Sequence, residues 1–166
     1  MKAISDSTPL IHLAKIGMIN FLKELFEEII IPKEIYEEII VEGKKQGKNE
    51  ILSIEKLMEE KFITIKELES DIEIDNLDRG EKRCIALCKQ LNIDTILIDE
   101  KEGSNVALLL NLNPIRTTSI LLILLDKNLI NFNEYKELLK KLLESGYFLD
   151  ALTYEKLLSI GRNITN

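Results

Sequence analysis

The chain has 166 residues, of which 45% are hydrophobic and 31% are charged. This composition is typical of a soluble globular protein with room for one sizeable core. The formal net charge of −7 argues against a general nucleic-acid coat protein, because such a protein needs a broad basic face. It does not exclude an enzyme that binds nucleic acid locally, since a carboxylate site is acidic and divalent cations offset that charge.

The sequence contains no pattern typical of a membrane span or a signal peptide. The longest apolar run is ILLILL at residues 120–125, far shorter than the ~20 residues that cross a bilayer. The N-terminal sequence MKAISD has no basic region followed by a long apolar stretch. We therefore expect a cytoplasmic protein that does not bind a membrane.

In the first part of the chain, short aliphatic runs alternate with helical patterns. Asp6, Ser7 and Thr8 are favourable N-cap residues and Pro9 suits a first helical turn, so a helix is expected to follow the first strand. The predicted strands are KAIS (2–5), EIIIP (28–32) and FITIKEL (62–68). The predicted helices are LIHLAKIG (10–17), MINFLKELF (18–26), KEIYEEIIVEG (33–43) and residues 50–60.

The alternation continues after an acidic connector, ESDIEIDNLDRG (69–80). Two further strands are predicted at DTILID (94–99) and PIR (114–116). The predicted helices are GEKRCIALCKQLN (80–92), EGSNVALLLN (102–111), TSILLILLDKN (118–128) and two final helices that are separated at Gly146.

Strands that alternate with helices predict an α/β fold. We expect three layers, α/β/α, with a central and mostly parallel sheet. Because no linker or internal repeat interrupts the chain, one domain is predicted over residues 1–166. Its core is expected at about residues 1–131, and the C-terminal helices, at about 132–161, are expected to pack on that core.

Two aspartates lie where ligands bind in open parallel sheets, which is beyond the carboxyl ends of the strands. Asp6 ends the first predicted strand, and Asp99 ends the strand that contains TILI. If these two strands are neighbours in the sheet, the two carboxylates converge.

Glu81 is a third candidate. Counted at 100° per residue, it lies at the N-terminal end of the apolar stripe that Cys84, Ile85, Cys88 and Leu91 form. A carboxylate in such a stripe is costly unless it is paired, coordinated or close to water. The alternative is a charge at the helix N-terminus that faces solvent, and periodicity does not decide between the two.

A fourth acid is expected on the helix at residues 33–43. Glu37 points away from its apolar side, whereas Glu38 and Glu42 flank that side one turn apart. Each of these residues, taken alone, is typical of a solvated helix charge. The helical pattern therefore leaves the choice open.

Several convergent carboxylates without a histidine cluster favour a hard cation. Mg²⁺ or Mn²⁺ prefers oxygen ligands and often shares them with a substrate phosphate. Such a site can support phosphodiester hydrolysis. Cys84 and Cys88 are interpreted as buried reduced thiols, since no further ligands cluster with them. The single histidine, His12, is interpreted as a packed or surface residue.

Five segments in this order resemble the PIN-domain family, and in particular a prokaryotic branch of predicted PIN nucleases similar to toxin-type ribonucleases. The resemblance covers about residues 3–131. No single segment is specific to this family, but the order and spacing of the five segments together are. The segments are ISDSTPLIHLAKIG (4–17), IIIPKEIYEEI (29–39), RGEKRCIALC (79–88), LIDEKE (97–102) and NLNPIRTTSILLILLDKNLI (111–130).

The resemblance implies a metal-dependent endoribonuclease with a parallel sheet between helices. It maps the family's metal-binding and catalytic acids onto Asp6, Glu38, Glu81 and Asp99, and so selects Glu38 over Glu37 and Glu42. Ser7 and Thr8 would orient Asp6 or its bound water.

The implied reaction is attack of water on the scissile phosphate, leaving a 5′-phosphate and a 3′-hydroxyl. One or two Mg²⁺ or Mn²⁺ ions are implied as cofactors. Many prokaryotic members are toxins that a small antitoxin protein neutralises, and many form homodimers.

The chain departs from this branch at two positions that bear on substrate binding rather than on metal binding. Ser104 replaces a frequent basic residue, and Arg116 replaces a frequent glycine. Arg116 either restores a phosphate contact or is a surface arginine. Lys101 and Lys15 are weaker candidates for a phosphate contact.

Two other functions fit the same pattern less well. The first is a PIN-like scaffold that mainly binds a protein partner, which has no need of four placed carboxylates. The second is a receiver-type Mg²⁺-binding domain, which usually ends its first strand in a pair of acids. Here Asp6 is followed by Ser7.

Overall fold

The computed structural model describes residues 1–70 and 77–165, and these residues form a sheet of five parallel strands. The strand order is β3-β2-β1-β4-β5, so β1 is central and the chain switches sides of the sheet between β1 and β4. The predicted α/β fold with a central parallel sheet is confirmed. The strands are β1 (Lys2–Ser5), β2 (Glu28–Pro32), β3 (Ile63–Lys66), β4 (Thr95–Leu97) and β5 (Asn113–Ile115).

The register explains why the central strands are aliphatic. Ile4 of β1 lies opposite both Ile30 of β2 and Ile96 of β4, and all three side chains are buried. Strands of a parallel sheet are covered on both faces, so they consist of continuous apolar runs. At the edge, Pro114 of β5 lies opposite Ile96.

The chain forms two compact units, which divide between Arg116 and Thr117. This division precedes residue 131, where the sequence analysis ended the core. In its described residues, the first unit contains the sheet, a 3₁₀ helix (Ile19–Glu24) and five longer helices. These helices are α1 (Ser7–Lys15), α2 (33–45), α3 (Ile51–Glu59), α4 (Arg79–Leu91) and α5 (Lys101–Leu109).

Helix α2 is not uniform. It is α-helical at Lys33–Tyr36, π-helical at Glu37–Glu42 and α-helical again at Gly43–Lys45. In a π-helix the hydrogen bonds run from residue i to i+5, so counting at 100° per residue misplaces its side chains. This explains why periodicity could not choose between Glu38 and its neighbours.

The second unit begins at Thr117 and contains α6 (Thr117–Asp126), α7 (Phe132–Glu144) and α8 (Ala151–Ile164). Between α7 and α8, Gly146 adopts a φ of +93°, which glycine tolerates best. The Tyr135 hydroxyl donates a hydrogen bond to the carbonyl oxygen of Leu157 at 3.1 Å, which ties α7 to α8.

Several predicted elements differ in type or length from the elements in the structure. The helix predicted at 18–26 is a 3₁₀ helix that lacks a side-chain cap at its start. The strands predicted at 62–68 and 94–99 are shorter, and β4 ends two residues before Asp99. Residues 71–76 of the predicted acidic connector lie outside the described residues. Among the helices that are described, none is long and apolar enough to cross a membrane.

Both cysteines lie on the buried side of α4. Cys84 is fully buried, and its Sγ donates a hydrogen bond to the carbonyl oxygen of Ser5 at 3.4 Å. Burial raises the pKa of the Cys84 thiol and raises that of Cys88 to about 12. The thiols therefore remain protonated at neutral pH.

We expect Cys84→Ser and Cys88→Ser to lower the free energy of unfolding by about 1–2 kcal/mol each, because each buries a hydroxyl among apolar side chains. Urea unfolding followed by circular dichroism measures this change. Neither variant should alter the number of Mn²⁺ ions bound in a calorimetric titration. A stoichiometric loss of metal in either variant would contradict the interpretation of these residues as buried thiols.

Candidate active site

Asp6 lies at the point where the chain changes sides of the sheet. It follows β1 directly, and its backbone N–H donates a hydrogen bond to the carbonyl oxygen of Leu97 in β4 at 2.9 Å. Its side chain is only 5% exposed. Ligands of open α/β sheets bind in the crevice at this switch point, so β1 and β4 together hold a buried carboxyl where ligands bind.

The electrostatic environment of Asp6 is unusual for a carboxyl group. Burial, as the largest cause, raises the pKa of Asp6 to about 7, and a hydrogen bond from the Ser7 backbone opposes the rise. The charges of Asp78, Glu38 and Glu81 contribute to the same rise. Four acids therefore interact around one buried position.

Glu38 is linked to this position by Ser7. The buried Ser7 hydroxyl donates a hydrogen bond to Glu38 Oε1 at 2.7 Å, which connects the first turn of α1 to the π-helical segment of α2. Glu42 instead forms an ion pair with Lys45 at 2.8 Å. Glu37 and Glu38 are both exposed, but it is Glu38 whose charge raises the pKa of Asp6. Of the three glutamates that the helical pattern left open, the structure brings Glu38 to Asp6.

Glu81 belongs to a capping box at the start of α4. Its backbone N–H donates to Asp78 Oδ1 at 2.9 Å, and its Oε2 accepts a hydrogen bond from the Asp78 backbone N–H at 3.1 Å. Glu81 is 4% exposed, and its Oε1 is buried without a hydrogen-bond partner among the described residues. The capping box thus fixes one oxygen of the carboxylate and not the other.

The pKa of Glu81 is raised as well. Burial is the largest cause, the hydrogen bond from the Asp78 backbone opposes it, and the charge of Asp78 adds to it. The charges of Glu100 and Glu102, near the start of α5, contribute to the same rise. Each additional carboxylate therefore makes this site less favourable without a cation.

Asp78 is a site residue that the sequence analysis missed. A Cβ atom built on Gly80 would lie 3.4 Å from both Asp6 Oδ1 and Asp78 Oδ1, so these two oxygens face the same point. The signal was present in the sequence, because D-R-G-E before an apolar run is a capping-box pattern. The sequence analysis began the helix at Gly80 and so left Asp78 in the connector.

Asp99 lies two residues beyond β4, at the same edge of the sheet as Asp6. It is partly exposed. Burial is the main effect on His12 of α1 and lowers the pKa of this residue. The charge of Asp99 acts in the opposite direction and raises the pKa of His12. The structure therefore brings Asp99 to this edge beside His12, whereas the acids acting on Asp6 are Asp78, Glu38 and Glu81.

The weaker candidates lie around this edge. Thr8 is half-buried in the first turn of α1, and Lys101 is the exposed first residue of α5. Arg116 follows β5 and is half-buried. Ser104 is buried in α5, and its hydroxyl has no hydrogen-bond partner among the described residues.

The chemistry of these side chains fits a hard divalent cation. In residues 1–70 and 77–165, no group of three acidic, histidine or cysteine side chains has the geometry of a finished metal site. The donors at the switch point are nevertheless all carboxylate oxygens, and Glu81 Oε1 is buried and unpartnered. Mg²⁺ and Mn²⁺ prefer such oxygens.

We expect Asp6→Asn to stabilise the metal-free protein at pH 8 by roughly 1–4 kcal/mol, since a pKa change of one corresponds to about 1.4 kcal/mol. The folded protein binds the Asp6 proton more tightly than the unfolded chain, so the charged form of Asp6 destabilises the wild type at pH 8. This penalty disappears as the pH falls from about 7 towards 4. Urea unfolding in EDTA between pH 8 and pH 5 measures the difference between wild type and variant. A constant difference over this range would contradict the raised pKa.

Comparisons with known proteins identify the family. A family model described as DUF3368: PIN domain matches residues 2–162. A search of curated protein sequences finds no significant match. A similar solved structure is that of a PilT N-terminus domain protein, SSO1118, from the hyperthermophilic archaeon Sulfolobus solfataricus P2. The match has 16% identity and a TM-score of 0.48 and covers 72% of this chain and 90% of that chain. On the family match, the chain belongs to the PIN-domain family, whose members are generally nucleases that use divalent metals.

Proposed function

We propose that this protein is a metal-dependent ribonuclease that hydrolyses RNA phosphodiester bonds. The observation that carries the proposal is the buried Asp6 carboxyl at the switch point of the sheet, with the charges of Asp78, Glu38 and Glu81 around it. Asp6 and Glu81 are buried, whereas Asp78 and Glu38 are exposed, and a buried carboxylate next to further acids is costly in a domain of ordinary stability. Its presence is explained if a divalent cation offsets the charge, as in the nucleases of this family.

The acids that would hold one or two Mg²⁺ or Mn²⁺ ions are Asp6, Glu38, Asp78, Glu81 and Asp99. When bound, such an ion supplies activation of water and stabilisation of the leaving oxygen. The protein's own contribution is to fix the carboxylates. Ser7 holds Glu38 through its hydroxyl, and the capping box holds Glu81 through Oε2.

The substrate is expected to bind locally rather than along a broad surface. The net charge of −7 disfavours wide contact with an RNA backbone, whose affinity depends on many phosphate–lysine or phosphate–arginine pairs. Lys101 and Arg116 are the cations at this edge of the sheet that we propose for phosphate contacts. The metal that the acids hold would account for the remaining contacts with the phosphates.

We further propose that the protein is the toxin of a toxin–antitoxin pair, with a small antitoxin protein as its partner and a homodimer as its assembly. The support is the resemblance of the chain to toxin-type members of the family. A catalytically weak scaffold is the alternative, and the clustered acids argue against it.

In a cleavage assay on a mixed pool of end-labelled single-stranded RNA, we expect wild type to cut with Mn²⁺ or Mg²⁺ and not with EDTA. Asp6→Asn, Glu38→Gln and Asp99→Asn should each reduce cleavage by a factor of about 10² or more, the size of loss typical for a preorganised charged group. Glu37→Gln is the matched control, because Glu37 and Glu38 are adjacent and both exposed, and it is Glu38 that accepts the hydrogen bond from Ser7. Equal activity in all variants would refute the site, and Mn²⁺ binding without cleavage would point to a narrower substrate.

Asp78→Asn tests the acid that the sequence analysis missed. Asparagine is as good an N-cap as aspartate, so α4 should keep its start and the thermal midpoint should stay unchanged or rise. We expect the variant to bind Mn²⁺ about tenfold more weakly, by analogy with other groups that support metal ligands. Isothermal titration calorimetry measures this affinity, and an unchanged affinity would remove Asp78 from the site.

A further inference from the structure

Gly103 lies in the first turn of α5, between the carboxylate of Glu81 and the end of β4. A Cβ atom built on this buried glycine would overlap Glu81 Oε1 and Ile98 Cδ1 and would lie 3.1 Å from Glu81 Cδ. Glu81 Oε1 is also the buried carboxylate oxygen that lacks a hydrogen-bond partner among the described residues. Glu81 Oε1 therefore occupies the space in which a side chain at position 103 would begin.

The backbone of α5 does not require a glycine here. The glycines with positive φ are Gly17, Gly47 and Gly146, and Gly103 is an ordinary helical residue. Glycine within a helix is less favourable than alanine, because more conformational freedom is lost on folding. An alanine would thus stabilise the helix itself, and what excludes it is the lack of space next to Glu81 and Ile98.

Glu81 cannot make room without losing a contact. Its Oε2 accepts the hydrogen bond from the Asp78 backbone N–H at 3.1 Å. Its backbone N–H donates a hydrogen bond to Asp78 Oδ1 at 2.9 Å. A methyl group at position 103 would push the carboxylate away from α5, and the movement would break or lengthen the Oε2 bond.

We propose that Gly103 is a positioning residue for Glu81. It allows the first turn of α5 to pack against the carboxylate so that the capping box holds Oε2 and Oε1 is presented to a divalent cation. The part of this inference that concerns the cation rests on the proposed function. The part that concerns the orientation of Glu81 does not.

The sizes of the side chains at positions 81 and 103 should therefore be coupled. An aspartate at position 81 is one methylene shorter than glutamate and would withdraw its carboxylate from α5. A methyl group at position 103 would then meet the flexible end of Ile98 but no longer the carboxylate. Gly103→Ala should be more harmful beside glutamate than beside aspartate.

The first test measures the orientation of Glu81 without any metal. In EDTA, we expect Gly103→Ala to accelerate amide hydrogen exchange of Asp78, measured by NMR, about fivefold to tenfold, as expected for the loss of one hydrogen bond. In a Mn²⁺ titration, the same variant should bind about tenfold more weakly, or worse. Unchanged exchange at Asp78 in the folded variant would overturn the proposal.

Gly161→Ala is the matched control. Its added methyl group would meet the Tyr135 ring and Leu125, all within the second unit. It should lower the thermal midpoint and leave both Asp78 exchange and Mn²⁺ affinity unchanged. An equal effect of Gly161→Ala on Asp78 exchange or Mn²⁺ affinity would show that general destabilisation, not the position of Glu81, explains the first result.

The second test is a double-mutant cycle with Glu81→Asp. We expect Gly103→Ala to lower the thermal midpoint and the Mn²⁺ affinity much less in the Glu81→Asp background than in wild type, because contacting residues are non-additive. Equal effects in both backgrounds would overturn the coupling. If Gly103→Ala alone does not fold, recovery of folding in the double variant supports the proposal, and failure to recover contradicts it.

These measurements also separate the two proposals. If wild type binds no Mn²⁺, the proposed nuclease site is wrong, and Asp78 exchange still decides the role of Gly103. If wild type binds Mn²⁺ and Gly103→Ala changes neither readout, the metal site stands and Gly103 has no positioning role.

Discussion

The main constraint on this structure is the repulsion between carboxylates, which the fold must overcome in order to hold them close together. Burial alone disfavours the charged form of Asp6, and its three acidic neighbours add to the effect. The surrounding framework must therefore supply the free energy that keeps them together. It does so with the aliphatic core around β1, β2 and β4, whose isoleucines are almost fully buried.

Three of the acids are held by different local contacts. Asp6 is fixed through its backbone bond to β4, and Glu38 through the Ser7 hydroxyl. Glu81 is fixed by the reciprocal hydrogen bonds of a helix N-terminus. The first two contacts join β1 to β4 and α1 to α2, and the third lies within the start of α4. A substitution that shifts any of these elements would therefore disturb several carboxylates together.

The fold was predictable because its signals are local and repeated. Aliphatic runs such as EIIIP, which ends at Pro32, and helix ends such as Gly17 mark the elements one by one, and their alternation implies a parallel sheet. Asp6 and Asp99 followed from the same logic, since a residue that ends a buried strand must lie at its carboxyl edge. For Glu81 only part of the answer was predictable. Its place in an apolar stripe indicates that the side chain is buried, but it does not indicate which residues lie opposite.

The remaining site residues depend on features that periodicity does not report. Glu38 lies in a π-helical segment, where counting at 100° per residue fails, and only the family resemblance selected it. Asp78 lies just outside the helix that it caps, so an analysis of helix faces does not reach it. Gly103 has no side chain, and its importance lies in the space beside Glu81. That space exists only once α4 and α5 are packed.

The edge strand β5 has a consequence for self-association. The Asn113 N–H donates to the Asp94 carbonyl oxygen at 2.6 Å, and the Ile115 carbonyl oxygen accepts from the Ile98 N–H at 3.1 Å, so both residues direct their backbone towards β4. Pro114, between them, directs its backbone to the open side, where it has no N–H to donate. A further strand added to this edge would find its central hydrogen bond missing, which protects the sheet from growth by edge-to-edge pairing on that side.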